Sequence, residues 1–322
     1  MSAATGATRS GPVVALAGGV GAARFLRGLV RAIPPDAVVA VVNTGDDCEF
    51  YNVHVSPDLD IVTYTLSGVV DPKLGYGLAG DTFALVDGLA KLDHETWFHL
   101  GDRDYANCLH RTLRLAGGAR LAEVTDELRH AHGLETRILP MSEDPCPTLV
   151  ELEDGRRIHF EEYLVRYGAP DAVRAVNLSA AGRATPAPGV LEALHSARSI
   201  ILCPSNPVVS IGPILAVPAI SQALSETAAP VVAISPIIGG AAVKGPAAQL
   251  LRGTGSEVSA RCVARRYRDI VGGMLIDSRD AEQVPDVEAL GLRCRAIDTL
   301  MVDLEVSIAL ARAALDLAES LR

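Results

Sequence analysis

The sequence predicts an α/β fold, a doubly wound, mostly parallel, Rossmann-like sheet carrying an inserted smaller α+β subdomain. Three observations lead there. Short, wholly apolar runs are each followed by a glycine, proline or aspartate turn, as strands buried on both faces are. Between several of them apolar residues recur at helical spacing, so strands and helices alternate. The middle of the chain breaks this rhythm and reads as strands joined by a hairpin.

Residues 1–10 are small and polar, with Arg9 as their one charge and no apolar core of a signal peptide, and are expected to form a flexible leader. Val13 to Leu16 is the first strand, Gly18 to Gly21 a turn, and 22–33 a helix stopped by Pro34-Pro35. Strand-like runs recur at 38–42, 200–203, 231–235, 274–276 and 294–297, and a helix over 303–321 closes the chain. Residues 11–111 and 179–322 are therefore assigned to the core domain and 112–178 to the insertion. Within the insertion the pattern predicts a helix at 121–132 and a strand at 137–140. Strands at 148–152 and 156–160 are joined by the tight turn Glu153-Asp154-Gly155.

Composition narrows the function. With 322 residues, 49% of them hydrophobic and 21% charged, the chain can bury a large core without staples. The apolar stretch 208–220 is broken by Pro213 and Pro218, short of the roughly 20 residues of a membrane span. No transmembrane helix is predicted, and a cytoplasmic location is expected. The six cysteines form no C-x-x-C pair, so they read as reduced thiols and a zinc site is not expected. The formal charge of −10 has no compensating basic run, and the densest basic cluster, Arg261, Arg265, Arg266 and Arg268, reads as a solvated helix face. Nucleic acid is not an expected partner.

Five segments could carry chemistry. Gly18, Gly19 and Gly21 open a helix after the first strand, where backbone N–H groups and the helix dipole favour an anion. Arg24 stands where a dinucleotide fingerprint needs its third glycine, and no G-K-[ST] follows. The loop could hold a phosphate, or serve as a tight turn for close packing. Next, Asp46, Asp47, Asp58 and Asp60 put four carboxylates into 15 residues after the second strand. Such a group is costly unless a cation compensates it, and oxygen ligands suit magnesium and hence a diphosphate substrate. A single aspartate there could equally cap a helix. His99, Asp102 and Arg103 could meet a substrate hydroxyl or phosphate, or start a helix. The last two segments, Ser205-Asn206-Pro207 with Ser210, and Ser235 with Gly239, follow adjacent strands and supply polar groups in proline-stiffened loops. Lone histidines carry no motif, and signatures of serine hydrolases, zinc proteases and kinases are absent from the sequence.

Taken in order these pieces resemble the 2-phospho-L-lactate transferases of coenzyme F420 biosynthesis, the CofD and FbiA proteins. The resemblance rests on Gly18-Gly19-Val20-Gly21-Ala22-Ala23-Arg24, Val42-Asn43-Thr44-Gly45-Asp46-Asp47, Ser56-Pro57-Asp58-Leu59-Asp60 and Leu100-Gly101-Asp102-Arg103-Asp104. It continues with Leu139-Pro140-Met141-Ser142, Pro204-Ser205-Asn206-Pro207, Ser210-Ile211-Gly212-Pro213, Ser235-Pro236-Ile237-Ile238-Gly239 and Asp298-Thr299-Leu300-Met301, spanning nearly the whole chain. His99 departs from the basic residue many relatives carry there, and Ala22-Ala23 varies the end of the glycine loop.

The resemblance implies a Mg2+-dependent transferase in which the terminal ribityl hydroxyl of the deazaflavin Fo attacks the phosphorus of an acid-linked guanosine diphosphate, expelling GMP. It implies Asp46 and Asp60 as metal ligands and Asp47 or Asp58 as acceptor of the hydroxyl proton. The guanosine diphosphate portion would lie on Gly18, Gly19, Gly21, Ser205, Asn206, Pro207, Ser210, Ser235 and Gly239. Fo would lie on Asp60, His99, Asp102 and Arg103. A homodimer is expected on the same ground. Phospholactyl, phosphoenolpyruvyl and phosphoglyceryl donors are all compatible with these loops. Two other classes remain: a nucleotide- or sugar-nucleotide-sensing regulator of the YvcK type, against which the 56–60 and 101–104 motifs stand, and a dinucleotide oxidoreductase, against which the missing third glycine stands.

Overall fold

The computed structural model describes residues 11–322; the expected leader, 1–10, lies outside the described residues. β1 (Val13–Ala17) and β2 (Val38–Val42) flank α1 (Gly19–Ala32). The hairpin of β3 (Cys48–Phe50) and β4 (Val53–Val55) leads into α2 (Pro57–Leu66), α3 (Ala84–Ala90), α4 (Asp102–Ala116) and α5 (Leu121–Ala131). β5 (Arg137–Pro140) precedes three antiparallel strands, β6 (Leu149–Leu152), β7 (Arg157–His159) and β8 (Val173–Asn177). The second half runs α6 (Val190–Ser196), β9 (Ser199–Leu202), α7 (Ile211–Ala216), α8 (Pro218–Glu226) and β10 (Val231–Ile234). A small hairpin, β11 (Ile237–Ile238) and β12 (Ala241–Ala242), then gives way to α9 (Ala247–Gly253) and α10 (Ala260–Tyr267). β13 (Gly273–Asp277), α11 (Val284–Glu288), β14 (Arg293–Ile297) and α12 (Leu304–Ser320) complete the chain.

Seven strands form one sheet in the order β14-β13-β10-β9-β1-β2-β5, and every pairing in it is parallel. The period of two sorts its side chains between layers: Val14 and Leu16 join one apolar cluster, Val13, Ala15 and Ala17 the other. Helices α1, α2 and α12 cover the second face, and α6 to α10 the first. Runs such as Val38-Val39-Ala40-Val41-Val42 are buried at every position, which is why they read as unbroken apolar text.

Two boundaries are corrected. Residues 137–140, assigned to the insertion, instead form the edge strand β5, with Leu139 opposite Val41 of β2. Four residues are too few to show which sheet a strand joins. The remaining insertion is the sheet β7-β6-β8, and it has no separate core, since Val150, Leu152, Phe160, Tyr163 and Val173 merge with the main apolar cluster. Second, α1 begins at Gly19 and not at Ala22, so the glycine stretch forms its first turn. All six cysteines are unpaired, and no described helix is long and apolar enough to cross a membrane.

Strand order reverses between β1 and β9. In open parallel sheets that switch point leaves a crevice beyond the carboxyl ends of the strands, because the connections leave in opposite directions.

Candidate active site

A cavity of about 970 Å³ occupies that crevice, walled by the segments after β1, β2, β9, β10 and β14. Asn43, at the end of β2, knits its floor together. Its amide donates to Asp58 Oδ2 at 2.9 Å and to the Val209 carbonyl at 3.2 Å, while its Oδ1 accepts the Gly45 N–H at 2.8 Å. Asp58 Oδ1 accepts the Gly19 N–H at 2.7 Å, and Gly18 N–H points to Ser205 Oγ at 3.3 Å. Two amides of the glycine loop are therefore engaged within the protein. A Cβ at Gly18 would stand 2.6 Å from Asp58 Oδ2, and one at Gly21 would stand 2.3 Å from the Pro204 carbonyl oxygen. Close packing is what these two glycines permit.

The carboxylates divide by their surroundings. Asp46, Asp58 and Glu161 are buried, border the cavity and have no cationic partner among the described residues. Asp46 Oδ1 lacks any hydrogen-bond partner. Burial, then the charges of Asp58 and Glu161, pushes the Asp46 carboxyl well above the usual carboxylate range. Burial also raises Asp58 to about 6, against hydrogen bonds from Asn43 and Gly19 that pull it down, and raises Glu161 to about 8 with Asp58 adding to the effect. Asp46, a hard oxygen donor with unbalanced charge and an orphaned oxygen, suits a small divalent cation, whereas the ligand atoms of Asp46, Asp58 and Glu161 do not all lie within 4.8 Å of one another.

Asp60 differs. It borders the same cavity, but both its oxygens accept from the guanidinium of Arg111, which is itself only 1% exposed. Its charge is already answered, so the cation-deficient group is Asp46, Asp58 and Glu161, whereas the sequence pointed to Asp46 and Asp60. Asp60, Asp104 and Cys108 also offer ligand atoms within 4.8 Å of one another, yet Arg111 lies on Asp60 and the thiol is soft, which opposes a hard cation there. Asp47 turns away from the cavity: Ser56 Oγ donates to it at 2.8 Å and His54 Nε2 lies 3.1 Å from it. Its other oxygen, Oδ1, has no hydrogen-bond partner.

The far wall is aromatic. Phe98 stacks on Phe50 with ring centres 3.9 Å apart, and Trp97, Phe98 and His99 border the cavity opposite the glycine loop. Asp102 and Arg103, expected to contact Fo, are not among the residues that line it. Asp102 accepts from Thr82 Oγ1 and from the Ala84 and Leu85 amides, and Arg103 donates to the Ala79 carbonyl, so both fasten the segment before α3. Asp104 does line the cavity, accepting from Tyr64 Oη at 2.7 Å and raised to about 7 by burial and by Asp60.

Ser205, Asn206, Ser210 and Ser235 face the cavity as expected, whereas Pro207 and Gly239 lie behind it. The Gly239 N–H donates to Asp280 Oδ2 at 2.8 Å, anchoring its loop. Glu161 and Arg111 carried no sequence motif. Glu161 follows the β7 strand beside a second glutamate, and Arg111 meets a partner 51 residues away, so no local spacing marks either.

The family described as 2-phospho-L-lactate transferase CofD matches residues 13–304. A phosphoenolpyruvate transferase of Streptomyces griseus is 45% identical over 96% of this chain and 99% of its own length. A 2-phospho-L-lactate transferase of Methanosarcina mazei is 38% identical over 93% of this chain and 98% of its own. Among solved structures, a member of the upf0052 family from Bacillus halodurans superposes with a TM-score of 0.65 at 20% identity, covering 95% of this chain and 99% of that one, a likeness of fold alone. On the family match and these identities, the chain belongs to the 2-phospho-L-lactate transferase CofD family, a family of transferases.

Proposed function

We propose that the chain joins a phosphoenolpyruvyl group from its guanosine diphosphate donor to the terminal ribityl hydroxyl of the deazaflavin Fo, releasing GMP. The observation that carries this reading is the group Asp46, Asp58 and Glu161, buried without a cation at the switch point of the sheet. Transfer of a phosphorus group needs charge neutralisation and alignment more than covalent help from the protein. A Mg2+ ion held by Asp46 would supply that neutralisation at the phosphorus oxygens.

The remaining roles fall to the chain's own groups. Ser205, Asn206, Ser210 and Ser235 orient the guanosine diphosphate portion, and the wall of Trp97, Phe98 and His99 takes the flat deazaflavin rings. Asp58, pinned by Gly19 and Asn43 and raised to about 6, is ionised at neutral pH and accepts the hydroxyl proton as the new P–O bond forms. The bond to GMP breaks opposite it. Phosphoenolpyruvyl is preferred over the other acids because relatives 38–46% identical to this chain, from five genera, carry phosphoenolpyruvate transferase as their name.

Donor choice is directly measurable. Of the donors in which guanosine diphosphate carries enolpyruvate, lactate or glycerate on its terminal phosphate, the first is expected to give the highest kcat/KM, by about tenfold or more, the reach of about 1.4 kcal/mol of differential binding. A higher kcat/KM for phospholactyl would reassign the acid while leaving the transfer reaction in place.

A further inference from the structure

The cavity is electrically lopsided. Its floor carries the unpaired acids, while on its rim two cations stand together without a carboxylate. Arg24 projects from the second turn of α1, and Lys244 comes from the loop between β12 and α9. Both reach within 4 Å of one point, the place a Cβ on Gly75 would occupy. Gly75 has φ +75°, and a side chain there would press on Val20 as well, so glycine both permits the turn and leaves room between the cations. Neither Arg24 nor Lys244 has an ion pair among the described residues, although this chain forms many elsewhere.

Two like charges drawn together destabilise each other unless an anion lies between them. Burial, then Arg24, pulls the Lys244 ammonium below its ordinary range, which fits such a frustrated pair. The pair is also held in place. Lys244 Nζ donates to the Leu74 carbonyl and lies 5.4 Å from the centre of the Tyr76 ring. The turn it grips is tied by Asp71, whose carboxylate accepts the Lys73 and Leu74 amides at 2.8 and 2.9 Å. Since that carboxylate is spent on its own turn, the clamp is formed before a ligand arrives, lowering the ordering cost of binding. Two of the glycine-loop amides are engaged by Ser205 and Asp58, and Arg24, on the helix that this loop opens, lines the same cavity.

We propose that Arg24 and Lys244 form an anion clamp that grips the donor through an anionic oxygen group, a diphosphate oxygen or the carboxylate of its acid. It rests on the transferase reading for the identity of the donor and adds the residues that hold its charged end. With a cation on Asp46 at one side of the cavity and the clamp at the other, two separate contacts to the donor's charge fix which way round it lies.

Calorimetric titration of GDP and, separately, of phosphoenolpyruvate into the wild-type protein, Lys244→Gln and Arg24→Gln in Mg2+ buffer tests this. Each variant is expected to lose about ten- to a hundredfold in affinity for at least one probe, the scale of a lost charge-assisted hydrogen bond. Lys244→Arg is expected to recover most of what Lys244→Gln loses. Loss toward GDP places a phosphate in the clamp; loss toward phosphoenolpyruvate with GDP unaffected places the carboxylate there. Equal affinities of wild type and both glutamine variants for both probes overturn the proposal. Binding losses without donor turnover by the wild type would keep the clamp and remove the transferase reading.

Discussion

Asp46→Asn is expected to lower turnover by about 10²–10³-fold, the usual cost of removing one preorganised electrostatic contact to a transition state, while leaving the melting temperature unchanged or higher. The two effects share a cause. Asp46 is 4% exposed, has one oxygen without a hydrogen-bond partner and faces Asp58 and Glu161 with no cation beside it. In the free protein its charge is a burden, so a neutral isostere relieves repulsion. In the working enzyme that charge is what a cation binds. A destabilised, inactive Asp46→Asn would mean that the residue is structural.

The same cluster sets a pH dependence. The folded-state carboxyls of Asp46, Asp58 and Glu161 are all raised, Asp58 to about 6 and Glu161 to about 8, against ordinary values of 3.8 for Asp and 4.5 for Glu. Where the folded chain holds more protons than the unfolded one, stability falls as pH rises. These groups therefore contribute their stability fully below the unfolded values and lose it between about pH 4 and 8, as the pH rises through the raised values of Asp58 and Glu161. A divalent cation binds the ionised form, so its effect on the melting temperature grows across the same interval. In the Asp46→Asn protein that growth is expected to shrink.

The second large effect is on stability. Arg111→Ala is expected to cost about 3–5 kcal/mol in denaturant unfolding, because it strands Asp60 as a buried charge without a partner. Arg111 is 1% exposed and meets both oxygens of Asp60, and Nη1 also donates to the His54 carbonyl at 3.2 Å. Replacing both members, as Asp60→Asn with Arg111→Met, removes the stranded charge and is expected to recover most of the loss. If Arg111→Ala melts like the wild type, the pair does not hold α2 to α4.

The strands were legible because they are buried on both faces: Val13-Val14-Ala15-Leu16 and Val38 to Val42 leave no polar position to confuse their reading. β5 was misplaced because Ile138 and Leu139 would be equally apolar in either sheet, and only pairing with β2 decides. The acidic floor could be anticipated from the crowding of Asp46, Asp58 and Asp60, since local density of like charge is visible in one dimension. What neutralises each of them is not. Arg111 reaches Asp60 from another helix, Glu161 arrives from the inserted sheet, and the Arg24–Lys244 pair joins segments 220 residues apart. For the same reason Asp102 and Arg103 belonged to a recognisable motif, yet their side chains fasten a loop, while the neighbouring Asp104 borders the cavity.

The most direct test is mass spectrometry of the purified protein incubated with Fo, Mg2+ and guanosine diphosphate carrying enolpyruvate on its terminal phosphate, with and without a chelator. The account predicts the phosphoenolpyruvyl ester of Fo together with an equal amount of GMP, and neither in the presence of chelator. Folded protein that binds GDP yet forms no ester from this or either of the other two donors would contradict it.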